Sequence, residues 1–152
     1  MDRDLKELKS YKSRIINYLV FLAITSIVLF LISLRKDFLL APPYAVSVYL
    51  IVFRQKSHYY NAKSVFATYL LVITRSNLTH FIAGANVIGM LSNVVIVSAF
   101  ITFTNLSHPP AIALSIFSYI TNNPLDFTIS SLLALLVLVI SAILIGKYSV
   151  IK

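Results

Sequence analysis

"ISSLLALLVLVISAILIG", residues Ile129 to Gly146, holds no charge and only small serines among leucine, isoleucine, valine and alanine. The hydrocarbon core of a bilayer is about 30 Å thick, and a helix crosses it in roughly 20 apolar residues. This run fits that length. So does Ile15 to Leu34, which carries Thr25 and Ser26 at its centre and no charge. The chain of 152 residues is 59% hydrophobic and 12% charged, with mean hydropathy +0.87. Soluble domains carry about 25% charged residues. Several such runs in so short a chain leave too little polar surface for a soluble fold. The chain therefore reads as an all-α, polytopic transmembrane helix bundle.

The formal charge of +8 raises nucleic acid as a partner. Lys and Arg, however, sit at the ends and loops of apolar runs, where topology signals belong. No separate basic domain remains for a nucleic-acid site. Cysteine is absent, which removes disulfides, a thiol nucleophile and a Cys-based zinc site. His58, His80 and His108 are too scattered for a metal motif. No enzyme signature, cofactor or metal is expected. The opening "MDRDLKELKSYKSR", residues 1–14, mixes acids and bases without a cleavage-site pattern, and reads as a cytoplasmic tail, not a removable signal peptide. Leu5, Leu8, Tyr11 and Ile15 share roughly one helical face. An interfacial helix and a solvated tail both suit that pattern.

Six apolar segments follow: Ile15 to Leu34, Phe38 to Phe53, Ala62 to Phe81, Asn86 to Thr104, Leu106 to Ile120, and Phe127 to Gly146. The second and fifth contain Pro42-Pro43 and Pro109-Pro110. "APPYAVSVYL" and "HPPAIALSIF" match with one inserted residue, so that Ser47 pairs with Ser115. The chain thus reads as two repeats, residues 15–82 and 83–152, each a helix, a Pro-Pro-broken segment and a helix. In "TNNPLDF", Asn123 is the expected N-cap of the last helix, with Pro124 at its first position. Residues before and through each Pro-Pro are expected to be extended. About six extended residues and ten helical ones together span about 30 Å. Six crossings put Arg3, Lys6, Lys9, Lys12, Arg14, Arg54, Lys56, Lys63, Lys147 and Lys152 on one side, and only Arg35 and Lys36 on the other. The positive-inside rule then expects a multi-pass plasma-membrane protein with a cytoplasmic N-terminus. Three crossings per repeat make the repeats inverted. Re-entrant Pro-Pro segments, the alternative, move Arg54, Lys56 and Lys63 outside and nearly abolish the bias.

"LLAPPYAVSVYLIVF" followed by "LSHPPAIALSIF" resembles the HPP family of small integral membrane proteins. The resemblance covers about Leu34 to Lys152, and His108, Pro109 and Pro110 match the motif that names the family. It implies a membrane domain usually described with four spanning helices, and transport of nitrite, in which some members are implicated. The family's glycines after each motif are replaced here by Tyr44 or Ala45 and by Ile112.

A helix starting after Pro-Pro presents free N–H groups and a positive dipole end. Such an end at membrane depth suits a small anion. Pro42, Pro43, Ser47, His108, Pro109, Pro110 and Ser115 are therefore the substrate-binding candidates. His108 can donate to an anion and couple to protons, or only bond an interfacial turn. A second set is Arg75, Asn86 and Asn93. Arg75 is either an intramembrane charge or part of a polar loop, "TRSNLTH", with its head snorkelling. Asn86 and Asn93, seven apart on one face, line a pore or glue helices together. Asp126 complements the dipole of the last helix. Tyr44, Tyr49, Tyr59, Tyr60 and Tyr148 are expected at membrane interfaces. The leading expectation is a transporter or channel for a small inorganic anion. A non-transporting scaffold and an intramembrane enzyme are its rivals. So small a bundle barely shields a polar pathway from lipid, so a homo-oligomer is expected.

Overall fold

The computed structural model describes residues 2–54, 61–106, 108–121 and 123–149. All the described elements are helical: α1 (Asp2–Ser33), α2 (Ala41–Phe53), α3 (Ala62–Ala83), α4 (Val87–Phe103), α5 (Pro110–Phe117) and α6 (Pro124–Ser149). A short 3-10 turn, Phe38–Leu40, leads into α2. The helices coincide broadly with the apolar runs. Their ends carry the expected chemistry. Asn61 Oδ1 accepts from Lys63 N at 3.1 Å, and Gly84, with φ +72°, closes α3. Asn123 Oδ1 accepts from Leu125 N at 3.0 Å at the start of α6.

α1 runs unbroken from Asp2 to Ser33, so residues 2–14 are continuous with the first apolar run. Good helix formers on both sides of Arg14 give it no reason to stop. The side chains of Leu5 and Leu8 lie outside the described residues, as do His58, Tyr59, Tyr60 and the Tyr148 side chain. Two expectations are corrected. "TRSNLTH" is not a loop but lies wholly within α3. The Pro-Pro pairs do not break helices after an extended lead. Ala41 is helical (φ −57°, ψ −46°), as is Pro109 (φ −53°, ψ −34°). The prolines begin α2 and α5, since first-turn N–H groups have no intrahelical acceptor and their loss there costs little. Ahead of the second Pro-Pro pair, Thr104 is extended (φ −118°, ψ 158°).

One end of the bundle gathers many chain segments. Arg35 pairs with Asp126 at 3.2 Å, and Ser130 donates to Asp37 at 3.2 Å. Thr128 donates to Asn77 at 2.9 Å, His80 meets the Ser118 carbonyl, and Thr79 meets Tyr119. The ends of α1, α3 and α5 and the starts of α2, α4 and α6 therefore share this end. α2 runs away from it and α3 returns. The chain comes back into the interior at His108, and α5 climbs the remaining distance.

The principal pairings are α1 with α2 and α6, α2 with α5 and α6, α3 with α4, α5 and α6, and α4 with α5. Exchanging α1, α2 and α3 for α4, α5 and α6 carries this set onto itself. The interior is mainly apolar, with Val48, Ile51, Val72 and Leu114 fully buried, but it also takes in polar side chains. Ser47, Thr68, Ser76, Asn93, His108, Ser115 and Ser118 are fully buried, while Phe81, Ile88 and Phe103 are 80% or more exposed. Among the described residues, two helices, Tyr11–Ser33 and Pro124–Lys147, are long and apolar enough to cross a membrane.

Candidate functional site

Ser47 is the hub of the first polar group. Being four residues after Pro43 in α2, its hydroxyl reaches back to the Pro43 carbonyl at 2.9 Å. It also lies 2.9 Å from His108 Nε2 and 2.5 Å from the Tyr69 hydroxyl. Tyr69 in turn lies 3.2 Å from the Pro43 carbonyl. A serine hydroxyl has one proton and two lone pairs, so three partners fill it. With Ser47 donating to Pro43, both Tyr69 and His108 donate to Ser47. Moving the imidazole proton to the other ring nitrogen lets Ser47 donate to His108 while Tyr69 still donates to Ser47. Tyr44 stacks on Tyr69 with ring centroids 5.2 Å apart and donates to the Ser131 carbonyl at 3.3 Å. Tyr44, Ser47, Tyr69 and His108 are all fully buried. This group joins α2, α3 and α6 to the residue just before α5.

A second polar group lies two turns along α3. Asn93 Nδ2 in α4 donates to Ser76 Oγ at 2.8 Å. Ser76 donates to Ser118 Oγ at 2.8 Å, and Ser118 donates to the Ser115 carbonyl at 2.9 Å. His80 stacks on Tyr119 at 4.4 Å and its Nε2 lies 3.0 Å from the Ser118 carbonyl. Gly89 admits this packing, because a Cβ there would lie 3.3 Å from Asn86 Oδ1 and from Tyr119.

The two Pro-Pro motifs meet across a cleft of about 440 Å³, lined by Pro42, Pro43, Val46 and Leu50 from α2 and by Pro109, Pro110 and Ala113. Every lining residue is apolar. The expected fan of free N–H groups at the start of α5 is corrected too. Ala111 N–H donates to the His108 carbonyl at 3.1 Å and Ile112 N–H to the Pro109 carbonyl at 3.0 Å. The tight first turn uses these donors itself.

The candidate residues thus divide. Ser47 and His108 come together, and the four prolines share one cleft. Ser115 does not join them: its hydroxyl donates to the Ile112 carbonyl at 2.7 Å, within its own helix. Asn86 and Asn93 do not share a face. Asn86 is the exposed N-cap of α4, accepting from Gly89 N at 2.7 Å, whereas Asn93 is buried one level deeper. Arg75 is half-buried in α3, and its Nε makes no hydrogen bond. Asp126 stands in the first turn of α6 as expected, with Arg35 as its partner. Tyr44 is corrected from an interfacial residue to a core one, while Tyr49 stays 46% exposed.

Tyr69, Ser76, His80 and Ser118 complete these groups without having been singled out. The spacing 69, 76, 80 holds a polar stripe on one face of an apolar helix, which is the signal they left. No family model, curated protein or solved structure matches the chain. Chemically, the first group can hold or pass a proton between an imidazole, a phenol and a hydroxyl, out of contact with water.

Proposed function

We propose that this protein is a six-crossing membrane transporter built from two inverted repeats, and that it moves a small inorganic anion past His108. The observation that carries the reading is the Ser47–His108 hydrogen bond, fully buried where α2 meets the approach to α5. A buried histidine in a hydrogen-bonded network at the meeting of two repeats is where transporters place their binding groups. The symmetric set of helix pairings supports the repeat. The apolar outer surface supports the membrane setting. Arg35 and Lys36 lie with Asp37 and Asp126 at one end, while Lys63 and Arg54 begin and end helices at the other, which supports a cytoplasmic N-terminus. That the anion is nitrite-like rests on the HPP resemblance alone. Only 11% of the α1 span is buried, which leaves a face for a second copy or for lipid.

Flux into proteoliposomes of nitrite, nitrate and chloride tests the reading. Flux of at least one anion is expected, with His108→Ala lowering it or shifting its pH dependence. No flux from folded protein would overturn transport, and an unchanged pH profile would remove His108 from the path. The satisfaction of every Ser47 hydrogen-bonding position favours a second reading, a non-transporting scaffold in which the group only locks helices together. That reading predicts loss of stability on substitution and no flux.

A further inference from the structure

The Asn93 group is rich in unused acceptors. Ser76 spends its proton on Ser118, and Ser118 spends its own on the Ser115 carbonyl. Asn93 commits one amide N–H to Ser76 and keeps only the other. Asn93 Oδ1 is buried without any hydrogen-bond partner. In a continuing helix the Tyr119 N–H would take the Ser115 carbonyl, but α5 tightens at its end and that N–H goes to Ile116 instead. Lone pairs therefore remain on Asn93 Oδ1, Ser76 Oγ, Ser118 Oγ and the Ser115 carbonyl. Asn93, Ser76, Ser115 and Ser118 are fully buried. An anion needs donors, of which this group keeps only the second Asn93 N–H. A cation needs oxygens, which it has.

We infer that Asn93 Oδ1, Ser76 Oγ, Ser118 Oγ and the Ser115 carbonyl form a binding site for a small monovalent cation of the sodium class. Three points fix the class. The C-terminal end of α5 adds the negative pole of its dipole, the arrangement by which interrupted membrane helices hold sodium. No carboxylate belongs to the set, and the described residues hold no cluster of metal-ligating His, Asp or Glu, which disfavours divalent ions. Complete burial of all four residues leaves little room, which favours the smaller alkali ions over potassium. Arg75, adjacent to Ser76 in sequence, lies about 100° around the helix, so its stem leaves α3 on another side. The cation site stands on these donors and acceptors alone. Only its coupling to anion movement rests on the transport reading, where a co-bound cation would offset the anion's charge.

The test is the melting temperature of the purified full chain in detergent, titrated with sodium chloride against choline chloride at constant ionic strength, with a parallel potassium series. A saturable rise in sodium, smaller in potassium and absent in choline, is expected. Ser118→Ala and Asn93→Ala should abolish the rise. Ser98→Ala should keep it, because that hydroxyl bonds the Val95 carbonyl of its own helix and lies outside the group. If Asn93→Ala does not fold, Asn93→Asp substitutes a carboxylate and should shift half-saturation to lower sodium. Equal melting in all three salts, as for a site that holds only water, would overturn the proposal. So would a sodium response retained in Ser118→Ala. Neither result depends on flux, so failure here leaves anion transport standing, and failure of transport leaves the site standing.

Discussion

Ser47 Oγ and His108 Nε2 lie 2.9 Å apart, although 61 residues separate them in the chain. Each sits beside a Pro-Pro pair, Ser47 four residues after Pro43 and His108 immediately before Pro109. The prolines set where α2 and α5 begin, and those starting points bring the hydroxyl and the imidazole to one depth. The bond thus converts two sequence motifs into one buried group.

Removing that hydroxyl should be costly. Ser47→Ala leaves Tyr69 and His108 without a shared partner in a buried site, and stability should fall by about 1–3 kcal/mol. Tyr69→Phe removes one of several bonds and should cost about 1 kcal/mol. Unfolding in detergent monitored by circular dichroism measures both. Equal stability of wild type and Ser47→Ala would show that the network is looser than its geometry.

Gly89→Ala should destabilise in spite of alanine's higher helix propensity. The new Cβ meets Asn86 Oδ1, which caps α4, and Tyr119, which is held by Thr79 and His80. Neither neighbour is free to yield, so a net loss of about 1 kcal/mol is expected. A rise in melting temperature would mean that Tyr119 gives way.

Asp37 titrates above its ordinary 3.8, chiefly because burial disfavours its charge, with Asp126 adding repulsion while Ser130 and Arg35 oppose the shift. The folded state therefore holds this proton more tightly than the unfolded chain. Its contribution to stability falls as pH rises from about 3.8 through the folded pKa. Asp37→Asn should raise stability at neutral pH and flatten the dependence in that acidic window. Melting curves between about pH 3.5 and about pH 7 would read the difference. A steeper dependence in the variant would refute the assignment.

Single cysteines can report topology, since the chain has none of its own. Substitutions at Lys36, Ala85 and Thr121 should react from one side of the membrane, and those at Lys63 and Asn105 from the other. Ala85 reacting from the side opposite Lys36 would instead indicate re-entrant Pro-Pro segments and four crossings.

Ala113→Leu adds bulk to the cleft between the Pro-Pro motifs, which has room for it. Stability should change by no more than about 0.5 kcal/mol. Flux should drop severalfold if α2 and α5 move against each other during transport. Full flux in a folded variant would mean that the cleft is not part of the cycle.

The helical plan was legible because apolar runs, capping asparagines and Asn123-Pro124 all act locally. The Pro-Pro pairs were harder. Proline breaks a helix or begins one according to where the preceding helix ends, and Lys36, with φ +59°, ends α1 early enough for α2 to start afresh. Asn86 and Asn93 were paired by periodicity, but periodicity holds only inside a helix and Asn86 stands before its first turn. Tyr69 and Ser76 were overlooked because a hydroxyl on an apolar helix shows nothing of its partner. Their meaning comes from Ser47 and Ser118, on other helices.

The exchange of partners between repeats has a consequence for how the protein is made. α3 finds its close neighbours, α4, α5 and α6, only in the second half, and touches α2 through the long side chains of Tyr44 and Tyr69. When α3 leaves the ribosome, the surface it will bury has no counterpart yet. Tyr69 and Ser76 then still lack their contacts with His108 and with Ser118 and Asn93. α3 can therefore be covered only once the second half of the chain exists, and a chain stopped after α3 would leave Ser76 without either of its partners.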